Sequence, residues 1–191
     1  DKEKSKNDFN DILGSNEWVS SNLGEPYSTI IETATQQSDL FLDRYEERII
    51  RRIADGFQRD VHGDLHSKNI FLEEEGPVIF DCIEFNDDFR RIDLLNELAF
   101  FCMDLESYDR AGLSERFMNE YQNFFPCMED KTDKLLFTYY KAYRSNIRAK
   151  VNVLRAQQAT SSTELEAISL EIKKYLKLMD KYIRVLVENQ S

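Results

Sequence analysis

Apolar residues recur along much of this chain at helical spacing. Leu42, Tyr45, Ile49, Ile50 and Ile53 fall at i, i+3, i+7, i+8 and i+11, which predicts a helix over 39–55 capped by Asp39 and closed by Gly56. Its other side carries Arg44, Glu47, Arg48, Arg51 and Arg52 and reads as a solvated face. Residues 1–10 are charged and polar and read as a frayed start; 11–23 hold a partial amphipathic pattern that Gly24-Glu25-Pro26 breaks. The stretch 91–105 is apolar nearly all round, as a buried helix is. Further helices are predicted over 114–125, ending before Pro126, and over 133–158. Ser161-Ser162-Thr163-Glu164 has the form of a capping box. It opens a last helix with a core stripe of Leu165, Ile168, Ile172, Tyr175, Leu176, Met179 and Ile183.

The helical period fails between residues 56 and 91. Asn69 to Leu72 and Val78 to Phe80 are short runs rich in β-branched and aromatic residues, and Glu75-Gly76-Pro77 between them has turn chemistry. This predicts a hairpin. The fold class expected is therefore mainly α with one small β-hairpin, an α+β arrangement. Three segments are expected: 1–38 leading in, 39–158 as a lobe holding the hairpin, and 159–191 as a helix packed on that lobe.

Chemistry gathers at the two ends of the hairpin. His62-Gly63-Asp64-Leu65-His66-Ser67-Lys68-Asn69 precedes it and Asp81 follows it. Phosphoryl transfer needs a carboxylate to take the proton of the attacking hydroxyl, and oxygen donors to hold magnesium on the nucleotide phosphates. Asp64 suits the first role. Asn69, five residues on, and Asp81, at the end of the second strand, suit the second. A zinc site on His62 and His66 is disfavoured, because Gly63 argues against a helix there and no Cys lies nearby.

The spelling of this stretch resembles the aminoglycoside phosphotransferase and choline-kinase-like family, whose loop reads HGDLHxxN. Arg91-Ile92-Asp93 through Ala99 stands where that family has its DPxxDLA-type element, with Leu94 in place of the Pro and Glu97 in place of the second Asp. Val61 to His66, Phe80 to Phe85 and Leu98 to Glu106 are most similar to a bacterial branch in which such a domain is often joined to a P-loop nucleotide-kinase-like domain. The resemblance covers roughly 38–155. It implies a protein-kinase-like fold, ATP or GTP as phosphate donor, Mg2+, and a hydroxyl on a small molecule as acceptor. By the same resemblance, His62 pins the loop and Asp93 braces it from the buried helix. His66 either donates to the transferred phosphoryl group or bonds the loop backbone. Glu84 either lines a substrate pocket or faces solvent, and Asp87 and Asp88 are expected to face solvent.

Composition trims this picture. The net charge of −11 makes nucleic acid a poor partner and fits a cationic acceptor. The three Cys are widely spaced and read as reduced thiols of a cytoplasmic protein. The longest apolar run is too short to span a membrane. No GxGxxG or strand Lys precedes Asp64, and no GxxxxGK[ST] is present. The chain is therefore expected to be the C-terminal lobe without its N-terminal lobe or a P-loop domain, and inactive by itself. The alternative is a non-catalytic kinase-like binding module.

Overall fold

A computed structural model describes residues 2–189. Among them helices dominate, with two small antiparallel sheets. The contacts divide the chain into two compact units, residues 1–46 with 142–191, and residues 47–141. These cut across the segments 1–38, 39–158 and 159–191 expected from the sequence. The long helix read over 133–158 serves both units, and the helix read over 39–55 is two helices.

The first unit is helical. It contains α1 (Lys2–Leu13), α2 (Asn16–Leu23), α3 (Glu25–Arg44), the later part of α7 (Lys131–Gln157) and α8 (Ser162–Glu188). Of the stretch 1–10 read as a frayed start, the described residues 2–10 are helical: Phe9 and Ile12 on α1 are fully buried, and the Asp8 carboxylate accepts from the Tyr143 hydroxyl at 2.5 Å. Two apolar anchors one turn apart hold the polar segment down. Gly24 takes φ +98 between α2 and α3, and Pro26 occupies the first turn of α3. A proline costs little there, because its missing N–H would have no partner in the helix. Asp39 thus lies inside α3 and caps nothing. α3 packs on α1, α2 and α8. The α8 stripe is buried from Ile168 through Ile183 and continues to Leu186. The Ser161 hydroxyl accepts the Glu164 N–H at 3.2 Å, as its capping position requires.

The second unit holds α4 (Glu46–Ala54), β1 (Gln58–Asp60), the hairpin β2 (Ile70–Glu73) and β3 (Gly76–Ile79), β4 (Arg91–Asp93), α5 (Leu94–Ser107), α6 (Ala111–Phe124) and the start of α7. β1 pairs antiparallel with β4, Arg59 opposite Ile92. β2 pairs with β3, Phe71 opposite Val78. The stretch 91–105 is thus a short strand and then a helix, with Asp93 at the junction.

The helix α4 is oriented against its sequence pattern. Arg52 is fully buried, while Ile50 and Ile53 are 59% and 44% exposed. The reason is electrostatic. Arg52 holds the Asp93 carboxylate with Nε at 2.6 Å and Nη2 at 2.9 Å. Its Nη1 donates to the Cys127 carbonyl at 2.9 Å and lies 3.1 Å from Asp133, and its guanidinium lies over the Phe57 ring. Arg48 adds a two-pronged pair with Asp133. A charge so fully matched can be buried where an unmatched one could not.

Candidate active site

The loop from Val61 to Asn69 is tied down at every second or third residue. Val61 N–H donates to the Arg90 carbonyl at 3.1 Å, where the β1–β4 pairing ends. Gly63 has φ +84, and a Cβ there would stand 2.9 Å from the Phe89 carbonyl oxygen and 3.2 Å from Ile83 Cδ1. Only glycine fits both the conformation and the space. His62 accepts the Asp64 N–H on Nδ1 at 3.3 Å, so the ring proton sits on Nε2, which donates to the Phe80 carbonyl at 2.7 Å. His62 thereby links the residue before Asp81 to the backbone of Asp64.

Asn69 is buried and closes the far end of the loop. Its N–H donates to the His66 carbonyl at 2.9 Å, forming the short 3-10 turn Ser67–Asn69. Its Nδ2 reaches back to the Asp64 carbonyl at 3.1 Å, which is the use made of the five-residue spacing. Phe80 N–H donates to the Asn69 carbonyl at 3.1 Å, adding a rung to the hairpin and setting Asp81 one residue past Asn69's partner. Asp81 then turns the chain away with φ +63, a conformation that Asp tolerates better than most residues.

Asp64 and Asp81 line one open cleft of about 590 Å³, together with Cys82, Ile83, Glu84 and Phe85. Asn69 is not part of this lining and is tied to the Asp64 backbone. Glu84 is exposed within the cleft wall, and Asp87 and Asp88 are exposed beyond it. His66 is buried edge-on against Phe100, with Nε2 3.4 Å from Asp64 Oδ2. Its ring therefore faces the proposed base, and Nδ1 has no hydrogen-bond partner. Among the described residues no group of three or more His, Cys, Asp or Glu is arranged to hold a metal.

The helix α5 supports the loop through residues the sequence reading did not assign. Asp93 caps α5, accepting Leu95 N–H at 2.8 Å, and otherwise binds Arg52; its carboxylate hydrogen bonds go to these and not to the loop it was expected to brace. Glu97 makes that contact, both carboxylate oxygens receiving the Gly63 N–H at 3.1 and 3.2 Å. Two turns on, Asp104 Oδ2 accepts the Ser67 N–H at 2.8 Å. Both acids are nearly inaccessible, at 4% and 3% exposure. Two carboxylates seven apart within the mostly apolar run 94–105 of α5 are the signal that was available, since such groups need donors to be buried at all.

A sequence profile described as the phosphotransferase enzyme family matches residues 13–131. Uncharacterized proteins of Mycobacterium bovis and of two Mycobacterium tuberculosis strains are each 32% identical to the chain over 139 residues. That match covers 73% of this chain and 27% of each relative, so the chain spans about a quarter of the length of those proteins. No solved structure matches significantly.

Proposed function

We propose that this chain, which belongs to the phosphotransferase enzyme family, is the C-terminal, catalytic lobe of a kinase-like enzyme that moves a phosphoryl group from ATP to a hydroxyl of a small molecule. The observation that carries this reading is the cleft shared by Asp64 and Asp81, with Asn69 hydrogen-bonded to the backbone of Asp64. Asp64 takes the proton of the acceptor hydroxyl as the bond to phosphorus forms. His66, with Nε2 3.4 Å from Oδ2, orients that carboxylate. Asp81 supplies a carboxylate and Asn69 an amide oxygen, its Nδ2 being committed to Asp64. These are hard oxygen donors that would suit magnesium. When bound, the ion would neutralise charge on the phosphates. Glu84 adds a third carboxylate to the cleft and supports an amine-bearing acceptor. Unpaired thiols support a cytoplasmic protein, and no helix among the described residues is long and apolar enough to cross a membrane.

Single-turnover transfer from labelled ATP or GTP to a panel of amino-sugars and amino-alcohols, with the full-length protein, tests the reading. Asp64→Asn is expected to slow transfer by about 10²–10⁴ with little change in nucleotide affinity, the loss of a positioned base. Asp81→Ala is expected to abolish magnesium-dependent nucleotide binding in titration calorimetry. A protein that binds nucleotide and transfers to no acceptor would favour the non-catalytic module. Transfer undiminished in Asp64→Asn would remove Asp64 from the chemistry.

A further inference from the structure

We infer that Asp104 is a positioning residue for phosphoryl transfer, acting through the backbone of Ser67. The inference rests on the function proposed above and deepens it. Three contacts hold the loop on either side of the base. Glu97 accepts the Gly63 N–H just before Asp64, Asn69 Nδ2 donates to the Asp64 carbonyl itself, and Asp104 accepts the Ser67 N–H three residues after it. Ser67 opens the turn that carries Asn69, and the first N–H of a helical turn has no partner within it. Asp104 supplies that partner from α5 at 2.8 Å, while buried to 3% exposure. A charged acceptor makes this one of the stronger hydrogen bonds available to a backbone amide.

The placement gives Asp104 leverage over two side chains it does not touch. His66 immediately precedes the held amide and lies 3.4 Å from Asp64 Oδ2. Asn69 ends the turn. Releasing Ser67 lets both move relative to Asp64, while Glu97 still holds the Gly63 side. The placement of Asp64 relative to His66 and Asn69 is then no longer fixed. Misplacement by about 1 Å can cost on the order of 10²-fold in rate. Nucleotide affinity depends on the Asp81 side of the cleft as well and is expected to change much less.

The experiment uses Asp104→Leu, which cannot accept a hydrogen bond, Asp104→Asn, which keeps an acceptor oxygen, and Ser67→Pro, which removes the donor. Proline suits that position because it opens a turn and His66 before it is extended at ψ 166. Amide hydrogen exchange over residues 64–69 is read first, because it needs no activity. Leu and Pro variants are expected to accelerate exchange there by at least about tenfold, consistent with loss of a charge-assisted hydrogen bond. The Asn variant is expected to stay near wild type. In single-turnover transfer, Leu and Pro are each expected to fall by about 10–100-fold with nucleotide affinity within about threefold, and the double variant to be no worse than either. If Asp104→Leu does not fold, Ser67→Pro carries the same test from the loop side. Unchanged exchange, an Asn variant as slow as Leu, parallel loss of rate and affinity, or additive effects in the double variant would each overturn the role. If wild type transfers nothing, the proposed function fails, while the exchange result still decides whether Asp104 holds the loop.

Discussion

At the scale of single residues, the loop is specified by what cannot be substituted. Gly63 combines φ +84 with a carbonyl oxygen 2.9 Å from where a Cβ would stand. A left-handed non-glycine residue costs about 1–2 kcal/mol before any clash is counted. Gly63→Ala is therefore expected to lose at least about that much, read as a lower urea midpoint at constant slope. A midpoint equal to wild type would mean that the backbone around Phe89 and Ile83 yields freely. The same residues show what was legible. Asp64, Asn69 and Asp81 were readable because their spacing follows from a loop and a hairpin; its outer ends fall within a residue of those expected, but the turn is Glu74-Glu75, and Gly76 and Pro77, expected in the turn, pair within β3. Asp104 was readable, with Glu97, as a buried acid that needs a donor, but nothing in the helix marks the Ser67 amide it meets. Asp93 was readable as important but not for the right partner. The Glu97 side chain, one methylene longer than the Asp usual at its place in the resembling family, makes the contact expected of Asp93.

At the scale of elements, α4 shows how a pattern can mislead. Its Ile50 and Ile53 form a regular stripe, yet the helix buries Arg52, because Asp93, Asp133 and the Cys127 carbonyl converge on it. Periodicity counts apolar residues and cannot see carboxylates arriving from β4 and α7. Removing one partner of a buried pair costs about 3–5 kcal/mol, since it strands the other charge. Arg52→Leu is expected to lose stability on that order in urea unfolding, and a loss below about 1 kcal/mol would show Asp93 to be hydrated. Because Asp93 caps α5, which carries Glu97 and Asp104, the variant should also loosen the loop. The network has a pH signature through Asp133. Burial acts to raise its pKa, but the Arg48 hydrogen bonds, the Glu129 N–H and the Arg52 charge outweigh it, so the carboxyl titrates below its ordinary value. A lowered folded pKa contributes stability that is fully present above the unfolded value, about 3.9, and is lost as pH falls through the folded one. Urea midpoints between about pH 2 and pH 6 should therefore drop steeply below about pH 4. Asp133→Asn should flatten that drop while lowering stability at neutral pH. An unchanged acid slope would assign the acid sensitivity to other carboxylates.

At the scale of the whole molecule, the sequence conveyed the helical class but not the grouping of its helices. Long helices read as single elements: nothing in the pattern marks Tyr45 as a break, or residue 142 as the place where α7 passes from one unit to the other. The three thiols test the second unit as a body, because all of them belong to residues 47–141 and differ only in depth. Cys82 is exposed on the cleft wall. Cys102 and Cys127 are fully buried, and burial pushes both thiols up to about 11. At pH 8 only about a thousandth of each would be the reactive thiolate even if a reagent could reach it. Cys82 is expected to react with iodoacetamide at once, and magnesium–ATP is expected to slow it, because the nucleotide would share its cleft. The buried pair can react only when their surroundings open, so their rate measures the free energy of that opening. If 47–141 opens as one cooperative body, Cys102 on α5 and Cys127 before α7 should label with the same protection and the same dependence on urea. Earlier labelling of Cys127 would mean that the segment between α6 and α7 opens independently, and that the Arg52 network joining it to Asp93 does not bind the unit together. Cys82 labelling indifferent to magnesium–ATP would place nucleotide binding elsewhere, and with it the roles given to Asp64 and Asp81.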